Sequence, residues 1–213
     1  TIYATTGLTY GTLETTGGAS LTADGGTLTT INFRDLGATY STGETWISFL
    51  AQRNGSASTA TFAGLSFYNS GGIAAANSEF SIANGGTSGA WRLVDNGPPL
   101  INGSTAIVPT SNTTYLLVAQ ILWGAGTGGT DAVSLFVNPT LSIAPAVADS
   151  SLNIAMTNFD KVRIAGGNGV NYTFDEIRIG DSFASVTPVP EASTTAALLL
   201  GLSSLVFRRR RSS

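Results

Sequence analysis

From Glu44 to Gln52 the chain reads ETWISFLAQ, and its side chains sort by alternate residue: Trp46, Ser48, Leu50 and Gln52 to one side, Ile47, Phe49 and Ala51 to the other. A period of two is the repeat of a β-strand, and apolar residues on both sides require cover on both. The alternation recurs. ATFAGLSFYN separates Ala63, Leu65 and Phe67 from Phe62, Gly64, Ser66 and Tyr68, and TYLLVAQILW is apolar on both faces, as in a central strand. DAVSLFVNP turns Val133, Leu135 and Val137 inward and stops at Asn138-Pro139; FDKVRIAGG and YTFDEIRIG complete the set, with weaker candidates around Tyr10, Leu28, Ile82, Leu93 and Ile107. The separators are GG, NG, TGG and NGPP, which is turn chemistry, and no stretch before Pro188 keeps a 3.6-residue period for ten residues. About a dozen short strands predict an all-β, two-sheet antiparallel sandwich of jelly-roll type. A parallel β-helix also suits Gly- and Asn-rich strands, but the even alternation and scattered large aromatics favour the sandwich.

Composition removes several kinds of chemistry. The 213 residues include no Cys and no His, and only 11% are charged. Zinc sites, thiol chemistry and Ser-His-Asp triads are excluded. With 42% hydrophobic residues the chain is too apolar for disorder and long enough for one sizeable core. Before Glu191 it carries six basic and twelve acidic residues. So acidic a body does not attract nucleic acid. The first residue is Thr1 rather than Met, which fits a removed leader or a longer parent chain.

Residues 188–213 form a second unit after a sandwich spanning 1–187. From Ala192 to Phe207 there is no charge, and the run contains Ala196, Leu198, Leu199, Leu200, Leu202, Leu205, Val206 and Phe207. As a helix those 16 residues reach ~24 Å, short of a ~30 Å hydrocarbon core. Arg208, Arg209, Arg210 and Arg211 follow directly and act as a stop-transfer cluster that leaves the body outside. One C-terminal hydrophobic helix, inserted in the inner membrane, is expected.

The ordered set VPEAST, apolar run and RRRR resembles the PEP-CTERM sorting signal of exopolysaccharide-producing Gram-negative bacteria. The resemblance implies recognition of Val189, Pro190 and Glu191 by an exosortase, a membrane-embedded cysteine protease that removes the helix. Ala192 stands where a second proline is usual. NYTFDEIRIGDSFASVTPVPE is similar to the closing strand of concanavalin A-like (laminin-G-like) domains, and GLTYGTLETTGG, WISFLAQ and AGLSFYNSGG to their opening strands. That likeness implies a jelly roll associated with carbohydrate or protein binding, with glycoside hydrolases among its relatives.

A glycosidase needs two carboxyl groups flanking one bond. Asp175 and Glu176 are adjacent, so regular alternation sends them to opposite faces, whereas Glu176 and Arg178 share one and are expected to form a structural ion pair. No Glu-x-Asp-x-Glu pattern occurs, and the expectation is a protein that is not an enzyme. A sugar platform combines an aromatic ring with planar hydrogen-bonding groups. GAWRLVDNG supplies Trp91, Arg92, Asp95 and Asn96 beside a turn, the best single candidate, although a strand-core role for Trp91 is the plainer alternative. No cofactor is required; calcium on Asp131, Asn138 or Asp95 is chemically allowed without a diagnostic loop. The expectation is thus an exported cell-surface or matrix protein that binds or scaffolds exopolysaccharide. A glycan-active enzyme whose acids come from different strands, or a ligand-free coat protein, are the alternatives.

Overall fold

A computed structural model describes residues 2–3, 6–17, 21–24, 30–55, 58–59, 61–97 and 100–190. Glu191, the apolar run and Arg208 to Arg211 lie outside the described residues, as does Leu28. Among the described residues no helix is long and apolar enough to cross a membrane.

Among the described residues thirteen strands form two sheets. The first has seven, in the order β1 (Ile2–Tyr3), β2 (Leu21–Asp24), β13 (Asn171–Gly180), β4 (Glu44–Arg53), β9 (Thr114–Leu122), β10 (Asp131–Val137) and β11 (Ser150–Ile154). The second has six, in the order β3 (Thr30–Tyr40), β12 (Phe159–Gly166), β5 (Ala63–Tyr68), β6 (Ser78–Asn84), β7 (Trp91–Asp95) and β8 (Ile101–Ser104). Every ladder between these strands is antiparallel. The one α-helix described, α1 (Phe183–Val186), follows β13 and opens on a capping box between Ser182 and Ser185.

Alternation decides what lies between the sheets. Ile47, Phe49 and Ala51 of β4, Leu117, Ala119 and Ile121 of β9, and Val133 and Leu135 of β10 meet Ala63, Leu65 and Phe67 of β5, Phe80 and Ile82 of β6, and Trp91 and Leu93 of β7. Phe67, Phe80 and Phe159 form the aromatic centre, with ring centroids 4.7 to 5.9 Å apart. Two expected strands are absent: Tyr10 lies in an irregular segment and Ile107 in a loop. Both sequences have too little alternating apolar length to hold a ladder. Instead Leu8, Tyr10 and Leu13 join Leu141, Ala148, Phe183 and Val186 in a second cluster on Trp46, Leu50, Leu116, Val118 and Phe136. That cluster covers the outer face of the seven-stranded sheet.

Strand β13 corrects the simple alternation. Its register with β4 slips between Asp175 and Arg178, so Glu176 and Ile177 together oppose Phe49. The bulge moves the inward set from Tyr172 and Phe174 to Ile177 and Ile179, leaving Asp175 and Glu176 as consecutive residues outside it. Glu176 takes φ 52°, in the left-handed region.

Candidate functional site

The outer face of the six-stranded sheet has no second apolar layer among the described residues. Its side chains follow from register: Arg163 opposes Phe33 on β3 and Ser66 on β5, Ser66 opposes Ser81 on β6, and Ser81 opposes Val94 on β7. One row along, Gly64 opposes Ala83 and Ala83 opposes Arg92. Small residues form the floor. At Gly64 smallness is obligatory, since a Cβ there would collide with the Ile82 carbonyl oxygen and Ala83.

Longer polar groups lie on that floor. The Arg163 guanidinium sits 5.7 Å from the Phe62 ring and 5.5 Å from the Tyr68 ring, and donates to Ser66 Oγ at 2.9 Å. Ser81 Oγ donates to Ser66 Oγ at 2.7 Å, and Asn96 Nδ2 donates to Ser81 Oγ at 2.9 Å and to Ser78 Oγ at 2.8 Å. The hydroxyls thus form a relay between a cation and an amide. Phe33, 39% exposed, meets Tyr68 edge-on at 5.4 Å and extends the aromatic surface.

Arg163 and Arg92 have no acidic partner among the described residues, and the Nε of each is buried without an acceptor. Partial burial pulls the Arg92 pKa down, but a guanidinium remains charged throughout the working range. Three strand spacings and two residues of offset put the two Cα atoms ~16 Å apart. Lys161, at the Tyr68 end of the face, is committed differently. Its ammonium lies 2.7 Å from Asp160 and 3.7 Å from Asp35, and the Asp160 hydrogen bond raises its pKa. The face offers two cations, aromatic rings and the Asn96 amide, positioned from beneath by the buried Ser66 and Ser81 hydroxyls, a set suited to holding an anionic, hydroxyl-rich chain.

The candidates from GAWRLVDNG divide. Trp91 is fully buried against Tyr115 and Tyr172 and cannot serve as a stacking platform. The reason is parity: Arg92 faces outward, so its neighbour Trp91 faces inward. Its indole N–H finds no acceptor there. Arg92 and Asn96 do belong to the open face, whereas Asp95 folds its Oδ1 onto the Gly97 amide at 2.8 Å and shapes the turn. The rings open to solvent are instead Phe62 and Phe33, with Tyr68 buried against Arg163 and Phe33.

The carboxylates are engaged elsewhere. Asp175 Oδ2 accepts from the Leu8 amide at 2.7 Å, and Glu176 Oε1 accepts from the Thr16 amide and hydroxyl at 2.6 and 2.8 Å. Glu176 Oε2 pairs with Arg178 Nη2 at 2.7 Å, and the same nitrogen donates to the Glu14 carbonyl at 2.5 Å. This ion pair and its acid neighbour tie the N-terminal segment to β13. The calcium candidates are not brought together. Asp131 and Asn138 sit at opposite ends of β10, ~23 Å apart by strand rise, and Asp95 belongs to the other sheet. Asp131 accepts from the Gly124 and Met156 amides, and Asn138 from the Leu116 amide. Among the described residues no group of three or more acidic side chains could hold a metal ion. In the sorting motif, Val189 is half-buried and Pro190 exposed, directly after the Pro188 carbonyl accepts from the Glu14 amide at 2.8 Å.

No family model matches the chain. No curated protein matches it either. Solved structures do. An endo-β-1,4-glucuronan lyase from the fungus Trichoderma reesei superposes with a TM-score of 0.59 at 12% identity, over 88% of this chain and 89% of that one. A mutant alginate lyase in complex with an alginate trisaccharide gives 0.52 at 10% identity, over 77% and 81%. The globular domain of T. cruzi calreticulin gives 0.50 at 11% identity, over 78% and 73%. The chain has the concanavalin A-like jelly-roll sandwich fold.

Proposed function

We propose that this chain is a polysaccharide-binding module without catalytic activity, displayed outside the cell, and that its ligand is an acidic glycan lying across the outer face of the six-stranded sheet. One observation carries the reading: a guanidinium held between two rings and hydrogen-bonded into a hydroxyl and amide relay, on a sheet face that no second apolar layer covers. Arg163 and Arg92 supply charge at two points and Asn96 a neutral amide between them, while the buried Ser66 and Ser81 hydroxyls hold the Arg163 and Asn96 side chains in place. The net acidity of the body does not oppose this strongly, because charges beyond a Debye length of ~8 Å are screened at physiological salt. Two of the similar folds are lyases named for glucuronan and alginate, both uronic-acid polymers, which agrees with an anionic ligand.

Support for the non-catalytic part comes from commitment of the acids. Near this face Glu79 accepts from Asn69 and the Thr157 amide, Asp160 pairs with Lys161, and Asp95 holds Gly97. Tyr68, a candidate proton acceptor in an elimination, is 2% exposed between Phe33 and Arg163. Delivery to the surface rests on the tail: Val189, Pro190 and Glu191 presented to an exosortase, with the apolar run and Arg208 to Arg211 holding the chain transiently in the inner membrane.

Affinity electrophoresis in gels containing alginate, glucuronan or a neutral β-glucan tests the binding. The acidic polymers should retard the chain, Arg163→Ala should lose at least about tenfold in affinity, and no unsaturated product should accumulate. Equal retardation by the neutral glucan, or turnover of either uronan, overturns the proposal. For the tail, Pro190→Ala/Glu191→Ala in a host carrying an exosortase should block trimming; trimming as efficient as in the parent rejects the sorting role.

A further inference from the structure

A part-open cavity of about 630 Å³ lies between the sheets, walled by β3, β12 and β13. Its size falls within the range of small-molecule sites. Two strand irregularities explain why the sheets do not close there. On β13 the bulge at Glu176 and Ile177 displaces the backbone. On β3 the register with β12 runs from Tyr40 opposite Phe159 to Asp35 opposite Lys161, so residues 36–39 bow out, with Gly37 at φ 74°. Leu36, Tyr40, Ile164, Ile177 and Ile179 are consequently only partly buried, and all five line the cavity. Large apolar side chains are left incompletely covered around a space able to accept an apolar body.

The rim has a definite charge character. Asp35 lies 3.7 Å from Lys161, both Asp175 oxygens accept backbone amides, and Glu176 is held by Thr16 and Arg178. Arg34 is the rim's one charge with no counter-ion among the described residues, and it is exposed at the mouth. We infer that this cavity is a second ligand site, taking an amphipathic molecule whose apolar body enters between the sheets and whose carboxylate meets Arg34. A medium-chain fatty carboxylate fits that description. The site lies between the sheets and does not depend on the polysaccharide reading of the outer face.

Isothermal titration calorimetry of the full chain with dodecanoate, below its micelle concentration, tests this, with dodecyltrimethylammonium as the same tail bearing the opposite charge. Dodecanoate should bind saturably with one site per chain. Arg34→Gln, an exposed change that leaves the fold alone, should weaken it at least about tenfold, the loss of one charge-assisted contact. Ile164→Trp, which fills the cavity, should abolish binding; Ile177→Phe serves the same end should the tryptophan variant fail to fold. The cationic surfactant should bind no better to the parent than to Arg34→Gln. Absence of saturable dodecanoate binding, or binding indifferent to the Arg34 and cavity-filling variants, as association with the apolar tail would be, overturns the inference.

Discussion

The two sheets treat their outer faces oppositely. Outside the seven-stranded sheet, Trp46, Leu50, Leu116, Val118 and Phe136 carry a second apolar layer built from the N-terminal segment, α1 and the loop after β10. Outside the six-stranded sheet the equivalent positions are Gly64, Ser66, Ser81, Ala83, Arg92 and Arg163. Both sheets contribute large apolar residues to the shared core, so the contrast is confined to the alternate residues of the same strands. An apolar outer face must be covered by a second layer of chain, whereas this floor of small residues is covered only by the polar and aromatic side chains that lie on it, which keep cations and rings at the surface. The difference separates the structural side of the sandwich from the side where we place ligand binding.

The covered side should be the more sensitive to truncation. Trp46 stacks on Phe136 at 6.1 Å and meets Phe183 edge-on at 5.4 Å, so Trp46→Ala should cost about 3–5 kcal/mol in denaturant unfolding. Glycan retardation of the remaining folded fraction should not change, and loss of it would erase the distinction between the faces. A smaller effect is expected where the cover is tethered. Glu176→Gln removes the charge from an acid whose side chain is 4% exposed and weakens its hold on Arg178 and Thr16. A cost of about 2 kcal/mol is expected, below the range for fully buried pairs because Arg178 is partly exposed. Limited proteolysis should then cut first within residues 6–17. Protection equal to the parent's would show that the apolar cluster alone holds the cover.

The smallest effect concerns the core common to both sides. Burial raises the Tyr172 pKa, and its hydroxyl donates to Asn84 Oδ1 at 2.7 Å. The folded state therefore retains a proton that the unfolded chain releases above the ordinary tyrosine value. This contribution to stability is complete below that value and is lost as pH rises toward the higher folded pKa. Unfolding at pH 11 should be easier than at pH 9 by about 1 kcal/mol from this group, and Tyr172→Phe should flatten that part of the profile. An unchanged slope in the variant would assign the loss to other groups.

Much of the sandwich was legible because alternation is a local signal. ETWISFLAQ and ATFAGLSFYN each grouped their inward residues on one side, and TYLLVAQILW is the central strand, buried on both faces, that its composition indicated. The bulge in β13 was not legible, since no glycine marks the slip at Glu176 and nothing in DEIR separates a regular strand from an interrupted one. The site was readable only in fragments. Phe62, Gly64, Ser66 and Tyr68 could be grouped from their own segment, and Lys161 and Arg163 from theirs, but their meeting depends on long-range register. Trp91 was readable both ways: the neighbouring turn suggested a sugar platform and a strand-core role was the plainer alternative, and its full burial bears out the core role. The segment around Tyr10 has no partner strand among the described residues and depends instead on acids more than 100 residues away and on apolar groups from Trp46 to Val186.

Chemical-shift mapping of backbone amides during titration with an alginate oligosaccharide tests the account most directly. The largest changes should fall on Ser66, Ser81, Arg92, Asn96 and Arg163, with residues 6–17 and 139–149 unmoved and Arg163→Ala abolishing saturation. Saturable changes centred on the covered face, around Leu13, Leu141 and Phe183, would contradict it.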